Sequence, residues 1–407
     1  MADMIDQRRG KPLRILAIVN IPWDPRLGAA RVWIELAEEW IKAGHRVDKF
    51  CLTDAFPVPA SSRGLSALRL ALFPYRAAAY VRRNPGRFDV IDCLIGTLPF
   101  SKQSLQFEGL LVARSVGLHR LYDRFDHVSR KRWPDQPKGR LFGGLFYKTR
   151  ARHLRKSADK GITRCDLLNL PNENELQEIE ENIRPHRPAM VQPYGLSDCQ
   201  REACERAAGT AHARLAKKKI CFVGMWSLRK GSRDWPKIIH SIWSQDPDAV
   251  FTFLGTMFGE DVVRRELGME RSERIHCIPT YDPFDLPGLL ADSAVGLFPS
   301  YIEGFGLTVL EQLACGIPTI AYDVPGPRQI LRSLRAVLLT PEGDARAMAG
   351  RALEILRMSA SEYSALSVQC RAIAGGFRWE RIATDTAQQY RAALEDLRAK
   401  PAPICTA

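Results

Sequence analysis

Two stretches decide the fold, Arg14-Ile-Leu-Ala-Ile-Val-Asn20 and Lys219-Ile-Cys-Phe-Val-Gly224, because the same alternation starts at each. Both are short, continuous apolar runs, the pattern of a strand covered on both faces in a parallel sheet. After the first comes the loop Ile21-Pro-Trp-Asp-Pro-Arg-Leu-Gly28 and then a predicted helix over Ala29–Ala43, with Val32, Leu36, Trp40 and Ile41 on one side. Gly44 ends that helix and Arg46-Val-Asp-Lys-Phe50 starts the next strand, which completes a βαβ unit. Asp89–Leu94, Leu110–Arg114 and Asp166–Leu170 read as further strands. Residues 196–217 then turn Ala/Arg/Glu/Lys-rich and read as a linker with a helix in it.

From Lys219 the alternation restarts, with strands at Val250–Gly255, Ile275–Ile278, Val295–Pro299 and Pro318–Tyr322 and helices at Trp235–Ser244 and Asp285–Ala291. Two successive alternations predict two open, mostly parallel sheets. Ligands on such a pair belong at the strand carboxyl ends, in the cleft between domains.

The size agrees: 407 residues at roughly 150 per domain give two to three domains. Hydrophobic residues at 45% and charged residues at 26% describe an ordinary globular chain. With Gly 29 and Pro 26, collagen-like and low-complexity classes are excluded. The 10 cysteines are scattered; the closest pair, Cys199 and Cys204, forms no Cys-x-x-Cys. Zinc ribbons and disulfide frameworks are therefore not expected, and buried free thiols in a reducing cytoplasm are.

Arg8 and Arg9 precede the apolar run Ile15–Val19, but Lys11 and Arg14 interrupt the approach and no cleavage site follows. No uncharged apolar stretch nears the ~18 residues of a membrane span. The reading is a soluble, cytoplasmic chain.

The formal charge of +13 is uneven. Residues 1–200 hold 33 Lys+Arg against 22 Asp+Glu, and residues 201–407 hold 26 against 24. Ala55–Phe88 contains six arginines and no acid, and Ser101–Lys160 contains fifteen basic residues and five acids. In the first of these, Leu65, Leu68, Leu72 and Phe73 fall near helical spacing among Arg63, Arg69 and Arg76. That is a basic amphipathic segment of the kind that lies on an anionic membrane surface, with Pro74 predicted to break or kink it. The alternative is a solvated helix packed on its own core. Nucleic acid is disfavoured, since no aromatic platform, zinc finger or helix-turn-helix accompanies the charge.

The chemistry concentrates in Phe298-Pro-Ser-Tyr-Ile-Glu-Gly-Phe-Gly-Leu-Thr-Val-Leu-Glu-Gln-Leu-Ala-Cys-Gly-Ile-Pro318. A buried strand ends at Pro299-Ser300 and a glycine-bearing loop leads into a helix near Gly306. Glu303 and Glu311 are eight residues apart, so at 100° per residue they do not share a helix face. Glu303 therefore belongs in the loop and Glu311 inside the helix. The helix N-terminus offers free N–H groups and a positive dipole end to a phosphate, and Gly304 and Gly306 allow close backbone approach. A carboxylate at Glu311 can accept from two vicinal hydroxyls of a ribose. An ordinary strand–helix junction with two solvated glutamates is the competing reading.

This stretch resembles the Glu-x7-Glu signature of family 4 retaining glycosyltransferases, of GT-B fold. Its flanks also fit: Asp285-Leu-Pro-Gly-Leu-Leu-Ala-Asp-Ser-Ala is similar to the helix before it, and Val324-Pro-Gly-Pro-Arg-Gln-Ile to the segment after it. Val191–Asp198 resembles the close of the first domain, and Phe377-Arg-Trp379 with Tyr390 the last helix. The resemblance is continuous over the C-terminal half and only an outline before it.

The resemblance implies two Rossmann-like domains with mostly parallel sheets facing across a cleft. Residues 1–195 would form an N-terminal acceptor-binding domain, to which a C-terminal helix at about 380–398 returns; 196–217 would be the linker and 218–379 the nucleotide-sugar-binding domain. Glu303 takes the position facing the donor sugar and Glu311 that of the ribose ligand. The backbone around Gly304, Phe305, Gly306, Leu307 and Thr308 would hold the diphosphate.

A second family element, a strand–Gly–Arg…Lys-Gly loop, reads here Phe222-Val-Gly-Met-Trp-Ser-Leu-Arg-Lys-Gly231. Gly224 and Lys230 match; Met225 stands where the arginine is expected, and Arg229 is the candidate substitute. Where the family carries a histidine near the donor sugar this chain has Val116, with His119 three residues on. Gly28 marks the loop that usually holds a glycine pair, with Ala29 replacing the second. Asp246-Pro-Asp248 reads as a helix-to-strand turn, not as a metal site.

The expected activity is thus transfer of a sugar from a nucleotide-sugar donor to an acceptor hydroxyl, with retention and without metal or other cofactor. A sugar or lipid-linked acceptor in bacterial-type polysaccharide, glycolipid or glycoconjugate synthesis is the expected context, at the inner membrane face where the basic half meets anionic lipid. A catalytically degenerate nucleotide-binding protein is the first alternative, on Met225 and Val116; a GT-B phosphorylase or epimerase is the second.

Overall fold

The computed structural model describes residues 11–134 and 141–399. By contact they fall in two compact units, one drawn from Met1–Arg120, Pro137–Pro193 and Trp379–Ala407, the other from Leu121–Gln136 and Tyr194–Arg378.

The first unit holds six strands, β1 (Arg14–Ile18), β2 (Arg46–Phe50), β3 (Val90–Leu94), β4 (Leu110–Arg114), β5 (Leu167–Leu170) and β6 (Ala189–Val191). Every pairing is parallel and the order is β2-β1-β3-β4-β5-β6. The central strands are buried almost throughout, as continuous apolar runs require. β6 was not legible in the sequence, since three residues at a sheet edge carry no period.

A buried polar network joins the C-terminal helix, Trp379–Ala399, to this sheet. The Arg114 guanidinium, 1% exposed, pairs with the fully buried Asp92 at 2.8 Å. Tyr390 Oη donates to Asp92 Oδ2 at 2.6 Å and accepts from Arg114 Nη2 at 2.9 Å. Trp33 Nε1 donates to the other Asp92 oxygen at 3.1 Å. Each partner satisfies another, as a dry network must. Trp40 adds a bond to the Ala383 carbonyl at 3.0 Å.

Another buried acid lacks such balance. Glu175 lies in the Glu173–Asn182 helix, where Ser115 Oγ hydrogen-bonds its Oε2 and Oε1 has no hydrogen-bond partner among the described residues. Burial pushes its carboxyl up to about 7, against the bonds from Ser115 and the Leu118 backbone. A raised acid pKa means the folded state holds a proton that the unfolded chain has released. That stabilisation is present below the ordinary carboxyl range and is lost as pH rises through 7. Relative to Glu175→Gln, the protein is expected to lose roughly 3 kcal/mol between pH 4 and pH 8. Chemical denaturation of both proteins across that range checks it; parallel stability curves would mean that Glu175 ionises normally in the fold.

The Arg63–Arg82 helix continues past Pro74, so the proline, expected to break or kink it, does not break it. Burial of Phe73, Ala77, Ala78 and Val81 on the same helix outweighs the lost backbone bond. Leu65 is half-buried and Phe73 buried, so only part of the expected amphipathic stripe reaches the surface.

The second unit holds β7 (Lys219–Val223), β8 (Val250–Leu254), β9 (Ile275–Ile278), β10 (Ser293–Phe298), β11 (Thr319–Tyr322) and β12 (Leu339–Thr340). All pair in parallel, in the order β12-β11-β10-β7-β8-β9. The chain winds outward from β7 through β8 to β9 and returns to β10 on the other side of β7. The winding therefore reverses between β7 and β10, which is where open α/β sheets bind ligands. Trp235 packs edge to face on Phe222 of β7 and on Phe251 and Phe253 of β8.

Residues 196–217, expected as a linker, form two helices of this unit, Asp198–Ala207 and Ala211–Lys217. Buried Arg214 makes them integral: its guanidinium donates to the carbonyls of Ala291, Cys315 and Gly316 at 2.8–3.1 Å. An arginine-rich composition looks solvated in sequence; three carbonyl acceptors at helix ends make it a core residue. Residues 121–134, expected in the first domain, also group with this unit.

Candidate active site

The loops that follow β7 and β10 meet at the reversal point and are fastened together. Tyr301 N donates to the Arg229 carbonyl at 2.9 Å, and Ser300 Oγ lies 3.2 Å from the same carbonyl. Gly231 makes the approach possible. Its φ is +79°, and a Cβ there would lie 2.2 Å from the Pro299 carbonyl. Gly231→Ala is therefore expected to cost upwards of about 2 kcal/mol and to displace the neighbouring Lys230. Thermal unfolding together with nucleotide affinity checks this; wild-type values for both would mean that the loops can separate freely.

Lys230 ends a single 3-10 turn, Leu228–Lys230, and its ammonium reaches Glu303 Oε1 at 2.5 Å. Ser300 Oγ donates to the same oxygen at 2.5 Å. The Lys230 Nζ also lies 4.6 Å from the Phe298 ring centroid. The two side chains are 12% and 9% exposed, so this is a shielded pair rather than a surface bridge. Burial pushes the Lys230 ammonium below the ordinary lysine range, while Glu303 pulls it up and Arg229 pushes it down. A cation held this way is available to an incoming anion that can replace Glu303 as its partner.

Gly306, at φ +96°, turns the chain into the Leu307–Ala314 helix, and no side chain caps that N-terminus. Beside it, Thr308 Oγ1 is buried with no hydrogen-bond partner among the described residues. Buried hydroxyls are normally bonded, so a ligand with acceptor oxygens would complete this one. Phe305 is buried between Tyr194 and Phe377 at 5.3 and 5.7 Å. Gly326 abuts the Phe305 carbonyl so closely that a Cβ would stand 2.3 Å from it. The signature loop thus has a rigid backing.

Glu311 lies in that helix, 7% exposed. It lines a small cavity of about 30 Å³ with Cys199, Gln200, Phe284 and Pro287 among its walls. The sequence expectation, Glu303 in the loop and Glu311 within the helix, holds in space.

Other features escaped the sequence reading. Asp234 accepts from Tyr301 Oη at 2.5 Å and from Tyr322 Oη at 2.8 Å, which ties the signature loop to the start of the Trp235–Trp243 helix. Burial raises the Asp234 carboxyl above its usual range, against those two bonds. Phe125 and Trp133 pack on Tyr301 at 5.7 and 5.6 Å. Only contact shows this, since 125, 133 and 301 share no sequence period.

Arg229 does not join the Lys230–Glu303 pair. Its guanidinium lies 5.1 Å from the Tyr122 ring centroid and lines an open cavity of about 660 Å³ with Phe125, Asp126, Met225 and Ser227. Met225, in the position of the expected arginine, is 48% exposed there. Gly224, at φ +152°, donates its N–H to the Leu254 carbonyl at 2.8 Å.

Gly28 and His119 belong to the first unit. Gly28 starts the Gly28–Lys42 helix, and a Cβ there would meet nothing within 4 Å, so its own surroundings do not require glycine. His119 is exposed at the start of the His119–Arg132 helix, after the half-buried Val116. Asp246 pairs with Lys218 at 2.8 Å, as a structural turn would. Among the described residues no group of three His, Cys, Asp or Glu side chains could hold a metal ion. No helix of the described residues is long and apolar enough to cross a membrane.

Residues 210–369 match the family described as glycosyl transferases group 1. A D-inositol 3-phosphate glycosyltransferase of Rhodococcus jostii (strain RHA1) is 26% identical over 235 residues, 54% of this chain and 52% of that protein. The chain spans about half the length of that relative, and less of others matched. Among solved structures, sucrose-phosphate synthase from Thermosynechococcus elongatus superposes with a TM-score of 0.73 at 19% identity, over 94% of this chain and all of that one. HepE of Anabaena, solved in complex with UDP and glucose, superposes with a TM-score of 0.64 at 15% identity, over 93% of this chain and 100% of that one. At such identities the structures share the fold.

Proposed function

We propose, from the match of residues 210–369 to the glycosyl transferases group 1 family, that this GT-B chain transfers a sugar, with retention, from a nucleotide-sugar to an acceptor hydroxyl. One observation carries the reading. At the winding reversal of the second sheet, a shielded Lys230–Glu303 pair stands in the same loop pair as an uncapped helix N-terminus with an orphaned Thr308 hydroxyl. Cation, N–H groups and hydroxyl are the complement of a diphosphate.

In this reading the acceptor oxygen bonds to the anomeric carbon as the bond from that carbon to the diphosphate breaks, and the acceptor's hydroxyl proton passes to the departing phosphate oxygen. Negative charge grows on the departing diphosphate. Lys230, the Thr308 hydroxyl and the N–H groups from Phe305 to Thr308 neutralise it without a metal ion. Glu303, released from Lys230 by the incoming phosphates, accepts from donor-sugar hydroxyls, and Glu311 accepts from the ribose. Gly224 lets the β7 loop approach the donor, and Arg229 supplies a second cation in place of the arginine that Met225 replaces. Gly28 and His119, the other two residues that the sequence resemblance singles out, lie in the first unit. The acceptor is a sugar, a phosphorylated polyol or a lipid-linked glycan, drawn by the basic first half to the cytoplasmic membrane face.

A mixture of UDP-, GDP- and ADP-sugars with inositol phosphate, sugar phosphates and lipid-linked acceptors tests this. Acceptor-dependent release of one nucleoside diphosphate, with the donor's anomeric configuration kept in the product, is expected. Tight nucleotide binding with no turnover on any acceptor would instead favour a degenerate, nucleotide-binding protein, the reading that Met225 supports.

A further inference from the structure

The Arg63–Arg82 helix of the first unit has two dissimilar faces, and neither is polar. One packs on the sheet: Phe73, Ala77, Ala78 and Val81 are buried, and the Phe73 ring lies 5.8 Å from Phe50 of β2. On the other, Leu68, Leu72 and Tyr75 follow one another at i, i+4 and i+7 and are 54%, 42% and 59% exposed. That spacing makes one stripe. Val58, 70% exposed, is held to it because Arg69 Nη1 donates to the Val58 carbonyl. Tyr75 meets Phe100 edge to face at 5.6 Å. Three chain segments thus contribute to one exposed apolar cluster.

Its border is cationic. Arg69 and Arg76 lie over the Phe56 ring at 5.5 and 5.0 Å, and Arg164 donates to the Pro99 carbonyl at 2.7 Å, next to Phe100. These three arginines bond to carbonyls or rings and form no ion pair among the described residues. No acid occurs from Ala55 to Phe88. A solvated helix would turn its charges outward and leave no leucine stripe exposed. Apolar side chains bordered by arginines without ion pairs among the described residues, on a stretch with no carboxylate from Ala55 to Phe88, complement the boundary between acyl chains and anionic headgroups.

We infer that this face docks on an anionic lipid membrane. Val58, Leu68, Leu72 and Tyr75 enter the headgroup boundary, and Arg69, Arg76 and Arg164 meet lipid phosphates. Docking rests on the first unit alone and stands whether or not the second unit transfers sugar.

Co-sedimentation of the full chain with vesicles of phosphatidylcholine, and of phosphatidylcholine mixed with phosphatidylglycerol, tests it. At roughly fivefold per arginine, the mixed vesicles are expected to bind on the order of a hundredfold better at low salt, less as salt rises. L68S/L72S/Y75S is expected to lose at least about tenfold of that binding while keeping its melting temperature. Leu72→Trp should strengthen binding, which keeps the test open if the triple variant unfolds. Equal binding to both vesicles, no binding, or full binding by the triple variant would overturn the inference. So would a change of oligomeric state in the triple variant without vesicle binding by the wild type, which would make this face a contact between copies.

Discussion

Lys230→Ala is expected to lower turnover by roughly 10²–10³-fold, the usual effect of removing one preorganised group from a developing negative charge. Its ammonium bonds Glu303 at 2.5 Å while 12% exposed, so the variant also leaves a shielded carboxylate alone. Lys230→Ala/Glu303→Gln separates the two effects: it should recover stability without recovering turnover. Lys230→Arg is expected to rescue poorly, because a planar fork does not fit the space of a point charge. The pH profile carries the same signature. Burial lowers the lysine pKa, so the cation, and with it the rate, is lost on the alkaline side below the ordinary lysine range near 10.5. An activity that held level to that range, or a Lys230→Ala enzyme with near wild-type turnover, would remove Lys230 from the mechanism.

The largest effect on stability is expected in the first unit. Asp92→Ala strands the Arg114 guanidinium, 1% exposed, and leaves Tyr390 and Trp33 without their common acceptor. Breaking a buried pair from one side costs about 3–5 kcal/mol. Tyr390→Phe should cost less, about 1–2 kcal/mol, because Asp92 and Arg114 still satisfy each other. Hydrogen exchange localises the damage: the Trp379–Ala399 helix and β3 should lose protection together, and the second sheet should keep its own. A small loss for Asp92→Ala, or equal losses in both sheets, would mean that the network does not hold the C-terminal helix to the first sheet.

How much the sequence revealed depended on whether the information was local. Apolar runs such as Arg14–Asn20 and Lys219–Gly224 carry their own strand signal, so ten of the strands were legible. β6 and β12 were not, because strands of three and two residues are created by their neighbours. The pairing of Glu303 in a loop with Glu311 in a helix followed from the helical angle and from the glycines. By contrast, Ser300, Asp234 and Tyr301 serve the site through contacts between β7, β10 and the next helix, which no spacing encodes. Arg214 read as part of a linker with a helix in it because the three carbonyls that claim it lie 77 to 102 residues away. Pro74 does not end its helix for a similar reason: a local breaker yields when several side chains of the same helix are buried.

The central claim, a nucleotide-sugar site built on Lys230, Glu303, Thr308 and Glu311, is tested most directly by calorimetric titration of the purified chain with UDP, GDP and ADP. Glu311→Ala is titrated alongside. One nucleotide should bind in the micromolar range and the variant should lose it, since a buried carboxylate facing two ribose hydroxyls has no substitute. Absence of binding by every nucleotide to a folded protein, or unchanged affinity in Glu311→Ala, would contradict the account.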